Sequence, residues 1–154
     1  MKYEQLKLEN QLCFPVYAAS RLIIREYQPY LDKLGITYPQ YLVLMVLWES
    51  DGISVNEISR KLILNTNTVT PLLKRMEMMG IIERHRSMGD ERKVNVHLTA
   101  KGKKLRTAAS TIPENLLSDL SSGTMKAGDL TDLKDKLNDI INYLLEKGQK
   151  KSDR

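Results

Sequence analysis

The chain reads as a mostly helical, α+β protein: a winged helix-turn-helix with flanking N- and C-terminal helices. Three observations predict this. Apolar spacing gives the order helix, helix, short helix, turn, helix, hairpin and two more helices, with no internal repeat and no linker. Two Ser/Thr-x-x-Glu/Gln patterns, Thr37 with Gln40 and Ser54 with Glu57, mark consecutive helix starts. The basic charge is concentrated: residues 60–106 hold 12 basic and 4 acidic side chains, a net +8, against +5 for the whole chain. A basic middle between acidic ends suits an acidic partner, with nucleic acid the first candidate. At 154 residues and 42% apolar content, the chain has the size and composition of one domain with a real core.

The elements follow in order. Leu12, Val16, Ala19, Ile23 and Tyr27 recur at three- or four-residue steps and predict a first helix within residues 6–27. Pro15 lacks an N–H and is cheap only in a first turn, so either the regular helix begins near Leu12 or an earlier turn kinks there. Pro29 is expected to end or redirect it. In "GITYPQYLVLMVLWES" Thr37 caps the second helix, and its almost wholly apolar stretch Leu42 to Trp48 predicts burial on most sides. Gly52 is its stop, and Ser54 opens the short helix "VNEISRKL".

After "ILNT", the segment "NTVTPLLKRMEMMG" carries the stripe Val69, Leu72, Leu73, Met76 and the stop Gly80, with Pro71 placed to kink or tighten its early turns. "IIERHR" and "KVNVHLT", joined by "SMGDE", predict a two-stranded hairpin with a charged tip. Thr99 is expected to cap a helix through Leu120, bent at Pro113. Leu130, Leu133, Leu137, Ile140, Ile141 and Leu144 then mark a long amphipathic helix ahead of a basic tail.

Composition excludes several classes. One cysteine, Cys13, permits no internal disulfide framework. The N-terminus lacks the apolar region of a signal peptide, and no apolar run reaches membrane-spanning length, so a cytoplasmic location without a membrane partner is expected. His85 and His97 form no metal-binding spacing with Cys13; no metal and no cofactor are expected.

The helix pair from Val55 to Met79 has the length and connection of a helix-turn-helix, whose second helix enters the major groove N-terminus first. Its leading residues are Asn65, Thr66, Asn67, Thr68 and Thr70, small groups that donate and accept hydrogen bonds; the threonine methyls could meet a thymine methyl. Lys74 and Arg75 follow as phosphate contacts. Asn65 and Thr66 could equally be helix caps. The hairpin adds Arg84, His85, Arg86, Arg92 and Lys93, which suit a wing along the backbone and the adjacent minor groove. Mere solubility also explains charges at a hairpin tip, and Asp90 with Arg92 could serve to shape the turn. One groove-entering helix buries too little for a tight complex, so a symmetric homodimer on two half-sites is expected. The terminal helices carry apolar stripes able to form it, or to pack within one subunit.

Cys13 lies in "ENQLCFPVY". Taken alone, a cysteine among apolar neighbours is usually an inert core residue, and the tyrosines would be ordinary interface aromatics.

The ordered features resemble the MarR family of regulators and, within it, the one-cysteine organic-hydroperoxide-sensing repressors. The resemblance covers about residues 6–145 and rests on "LENQLC", "LDKLGITYPQYLVLMVLWE", "TVTPLLKRME", "GIIERHRSMGDERKV" and "LTAKGKKL". The Asp90-Glu91-Arg92 wing is the general family signature; the Cys13 block with "ITYPQY" points to the peroxide-sensing branch. The resemblance implies a single MarR-type domain over residues 1–154, with dimerisation helices in 1–35 and 111–148 around a winged core at 36–110. It implies a homodimeric repressor on a palindromic double-stranded operator, contacted near Asn65 and through Arg86, Asp90 and Arg92. It places the sensing thiol at Cys13, with Tyr17 from the same subunit and Tyr27 and Tyr38 from the partner. Pro15 departs from the aliphatic residues usual there.

A reactive cysteine must be partly thiolate, which needs donors or positive potential nearby. No Lys or Arg lies between Lys7 and Arg21, so the hypothesis assigns stabilisation to Tyr27 and Tyr38 across the dimer interface, helped by a helix N-terminus at Pro15. Oxidation by an organic hydroperoxide would give a sulfenic acid, to be capped by a small-molecule thiol or another chain's cysteine, or overoxidised. Two other readings stand beside it: a MarR-type regulator of a non-oxidant ligand, and a thiol peroxidase. The latter would need a fast resolving route, yet one cysteine and no clear general base are present, so no enzyme is expected.

Overall fold

The apolar run of the second helix sets the centre of the fold. In a computed structural model, which describes residues 3–152, the chain divides into two compact units, Met1–Ile112 and Pro113–Arg154.

In the first unit, two short 3-10 turns precede α1 (Cys13–Leu34). Cys13 is its first residue and Pro15 its third, so the missing proline N–H falls among donors that have no intrahelical acceptor. Pro29 does not end the helix, contrary to expectation; α1 runs on to Leu34 and stops at Gly35, whose φ of 67° is left-handed. The cost is one hydrogen bond, to the carbonyl of exposed Arg25, and the fully buried Leu31 beyond it anchors the last turn in the core.

Thr37 and Gln40 start α2 (Tyr38–Glu49) as read from the sequence: the Thr37 N–H donates to Gln40 Oε1 at 2.9 Å. Tyr41, Val43, Leu44 and Leu47 are fully buried, each such side chain contributing roughly 1.5–3 kcal/mol. They pack with Leu31, Ile58, Val69, Leu73, Met76, Ile81 and Val96 into one core. Trp48 spans to the fifth helix, donating from Nε1 to the Gly102 carbonyl at 3.0 Å.

Ser54 and Glu57 cap α3 (Val55–Leu62), with Glu57 N–H to Ser54 Oγ at 3.2 Å and Ser54 N–H to Glu57 Oε2 at 2.9 Å. The Ser54 N–H, and the Ser54 hydroxyl donating to the same Oε2 at 2.8 Å, hold the Glu57 carboxyl below its usual range. The α3 helix ends at Ile63, with φ 55° and ψ 41°, the left-handed region that a β-branched residue seldom enters. Asn65 then caps α4 (Thr66–Met78), which continues through Pro71.

The hairpin is part of a three-stranded antiparallel sheet rather than a pair. Its strands are β1 (Ile53–Ser54), β2 (Ile82–Arg86) and β3 (Val94–Leu98), in the order β1-β3-β2. Ile53 pairs with Val96, and Arg84 lies opposite Val96 on the other side. A third strand at the base ties the wing to the N-terminus of α3.

Thr99 caps α5 (Ala100–Ala109), but the helix expected to reach Leu120 breaks at Ser110 and restarts as α6 (Ile112–Ser121). Pro113 cannot donate to the Ala109 carbonyl and sits in the first turn of α6, where proline is tolerated. In the second unit α7 (Ala127–Ser152) leaves Leu133, Ile140, Ile141, Leu144 and Leu145 exposed. No helix among the described residues is long and apolar enough to cross a membrane.

Candidate DNA interface and redox site

The first turn of α4 is aimed outward by the stripe behind it. Val69, Leu72, Leu73 and Met76 are buried, which leaves Thr66, Asn67, Thr68, Lys74 and Arg75 exposed and Thr70 half-buried. Asn65 is occupied as the cap: its Oδ1 accepts the Asn67 N–H at 2.9 Å. Thr66, the alternative cap, is the first helical residue instead.

A cleft of about 220 Å³ runs between the starts of α3 and α4 and the wing, lined by Ser54, Asn56, Thr66, Thr70, Arg84, Arg92 and Lys93. It brings Thr66, Thr70 and Arg92 together. Arg86 lies exposed at the end of β2. Asp90 shapes the wing turn through backbone, its Oδ1 accepting the Arg92 N–H at 3.1 Å, with Ser87 N–H closing on the Lys93 carbonyl at 2.8 Å. The Arg92 side chain is therefore left exposed beside the cleft.

Sequence reasoning missed an ion pair behind this surface. Glu77, in the last turn of α4, accepts three hydrogen bonds from Arg84: the backbone N–H at 3.0 Å, Nε at 3.0 Å and an Nη at 2.7 Å. The guanidinium holds the Glu77 carboxyl below its usual range. The seven-residue separation crosses a turn and a strand start, so no helical or strand periodicity announces it. His85 and His97 approach at 5.6 Å between ring centroids on paired strands. No group of three or more His, Cys, Asp or Glu able to hold a metal occurs among the described residues.

The thiol of Cys13 is exposed in the first turn of α1, where the dipole favours an anion. Tyr17 lies one turn along, also exposed, with the Arg21 guanidinium 5.5 Å from its ring centroid. Beside them runs a groove of about 290 Å³ lined by Phe14, Tyr17, Ala18, Arg21, Leu22 and Arg25.

Tyr27 and Tyr38 form a separate cluster with a member the sequence did not single out, Tyr41. Their centroid distances are 5.0 Å for Tyr27–Tyr38 and 5.8 Å for Tyr27–Tyr41. Burial, then the neighbouring Tyr38 and Tyr41 hydroxyls, push the Tyr27 pKa up to about 12. Burial also raises Tyr38 and Tyr41. The cluster is fully protonated near neutral pH and offers O–H donors. Tyr27 stands 14 residues beyond Cys13, about 21 Å along the helix axis, so one chain does not bring its own thiol to its own Tyr27.

Comparison with known proteins agrees with this architecture. A family model described as transcriptional regulator SarA/Rot matches residues 25–108. The organic hydroperoxide resistance transcriptional regulator of Bacillus subtilis (strain 168) is 46% identical over 146 residues, 95% of this chain and 97% of that protein. Reduced AbfR bound to DNA is 37% identical with a TM-score of 0.76, covering 94% of this chain and 99% of that one. A crystal structure of AbfR of Staphylococcus epidermidis is likewise 37% identical, with a TM-score of 0.72 over 95% of this chain and 99% of that one. The winged helix-turn-helix, the lone N-terminal cysteine and these relatives together make the chain a member of the MarR-type regulators, in the family of organic hydroperoxide resistance transcriptional regulators.

Proposed function

We propose that the chain is a homodimeric transcriptional repressor that binds a palindromic operator and releases it when Cys13 is oxidised by an organic hydroperoxide. The observation that carries this reading is an exposed lone thiol in the first turn of α1, on the same chain as a winged helix-turn-helix with a polar, outward leading turn. In this reading Thr66, Asn67, Thr68 and Thr70 face base edges, Asn65 sets the start of α4, and Lys74, Arg75, Arg86 and Arg92 contact phosphate. Asp90 holds the wing turn that presents Arg92.

Residues 1–35 and 111–148 supply the dimer contacts in a single MarR-type domain around the winged core at 36–110. The apolar side chains of α1 and α7 left exposed in one chain support that assignment. A second copy would bring Tyr27 and Tyr38 to Cys13, where their hydroxyls donate to the thiolate beside Tyr17. Thiolate attack on the distal peroxide oxygen breaks the O–O bond and forms S–O; the alkoxide leaves with a proton as the alcohol. The sulfenic acid then condenses with a small-molecule thiol, losing water and forming a mixed disulfide. The added bulk and lost tyrosine contacts would reorient the subunits and mismatch the two α4 helices to one operator. No cofactor or metal enters this scheme, and it places the protein in the cytoplasm, where DNA and reducing thiols coexist.

The test is binding to a duplex selected by the reduced protein from a randomised pool, for wild type and Cys13→Ser, before and after one equivalent of alkyl hydroperoxide. Release by wild type with retention by the serine variant is expected. Equal responses in both would sink the sensor role and favour a regulator of a non-oxidant ligand.

A further inference from the structure

The pairing of Glu77 with Arg84 does more than neutralise a charge. Glu77 belongs to α4, whose other end carries the residues assigned to base contact. Arg84 belongs to β2, whose next residue on the same face, two positions on, is Arg86. A single carboxylate grips both the backbone N–H and the guanidinium of Arg84, so it fixes the strand as well as the side chain. Arg84 also lines the cleft between α4 and the wing, together with Thr66 and Thr70. Other contacts hold the α4–β2 turn itself: Thr99 Oγ1 donates to the Gly80 carbonyl at 2.7 Å and Lys101 Nζ to the Met79 carbonyl at 2.9 Å. Glu77 alone among these grips β2 beyond the turn.

We propose that Glu77 is a positioning residue for DNA recognition, setting the angle between α4 and the wing by holding Arg84 in place. The proposal rests on the DNA-binding reading above. It predicts an effect opposite to simple charge counting. Glu77 is an anion within a basic surface, so its neutralisation should tighten binding if electrostatics alone mattered. If it positions the wing, neutralisation loosens binding to the matched sequence only.

The reduced full-length protein is compared as wild type, Glu77→Gln and Glu77→Asp on two duplexes: one selected by wild type from a randomised pool, and a shuffled sequence of the same length. Glu77→Gln is expected to lose about tenfold on the selected duplex, the order of one weakened charge-assisted contact, with equal or tighter binding to the shuffled one. Glu77→Asp, which keeps the charge on a shorter arm, should recover part of the loss. Tighter or unchanged binding of Glu77→Gln to both duplexes overturns the proposal. An equal loss on both assigns Glu77 to general stability and overturns it too. Failure of wild type to select any duplex overturns the DNA-binding reading itself, and the proposal with it.

Discussion

The rings of Tyr27 and Tyr38 meet at 5.0 Å between centroids and 55° between planes, joining the middle of α1 to the first residue of α2. Both residues are half-buried and pack against the core. Rings can be kept and hydroxyls removed by Tyr27→Phe and Tyr38→Phe. Each is expected to leave the melting temperature nearly unchanged and to slow alkylation of Cys13 by about tenfold near neutral pH, the order of one lost hydrogen bond to a charged group. Alkylation rates across a pH series check this; rates equal to wild type would remove the tyrosines from the sensing scheme.

The same cluster predicts an alkaline limit to stability. The folded Tyr27 pKa of about 12 lies above the ordinary value of 10.0, because burial disfavours the phenolate. A raised acid stabilises the fold fully below its unfolded pKa, and that contribution is lost as pH climbs through the folded value. Unfolding free energy should therefore fall between pH 10 and about 12. Urea unfolding measured across an alkaline pH series reports it, and Tyr27→Phe should flatten the decline.

Gly102 meets α5's neighbour at backbone distance. A Cβ there would collide with the Ile81 carbonyl oxygen and press on the Leu98 side chain, while the Gly102 carbonyl accepts from Trp48. The collision is with main chain, which cannot swing aside. Gly102→Ala should destabilise by roughly 1–3 kcal/mol in urea unfolding, despite alanine's better helix propensity.

Local chemistry made much of the fold legible. The Thr37/Gln40 and Ser54/Glu57 patterns are short-range and capped α2 and α3 where they were read. The stripe on α4 and the alternation on β3 placed the reading helix and the wing. What escaped depended on tertiary structure. Ile63 takes a glycine-like conformation because the chain must reverse there, and Leu64 N–H bonds back to the Ser59 carbonyl at 2.9 Å. The two-residue β1 has no periodicity of its own and exists through its pairing with β3. Pro29 was overridden by the packing of Leu31, whereas the chain breaks before Pro113, between the buried Ala109 and Ile112, because the proline removes the donor that would continue α5. At the site, individual residue types were visible but not their partners: Tyr41 and the Glu77–Arg84 pair are contacts between elements.

Thr68 and Arg92 provide a paired test of how labour divides across the DNA surface. Thr68 is exposed on the first turn of α4, where a side chain can meet a base edge; Arg92 is exposed on the wing beside the cleft, where it suits phosphate. A phosphate contact adds to affinity on every sequence and to its salt dependence, by about 0.9 in the log–log slope for each contact. In a dimer, Arg92→Ala removes the contact twice, so the slope should become shallower by about 1.8, with affinity falling on selected and shuffled duplexes alike. Thr68→Ala should leave the slope unchanged and relax discrimination at one position of each half-site, by about 1 kcal/mol, the order of one lost neutral hydrogen bond. Anisotropy titrations over a range of salt concentrations, on the selected duplex and its single-position variants, separate the two. A changed slope for Thr68→Ala, or altered base preference for Arg92→Ala, would reverse the assignment of helix to sequence and wing to backbone.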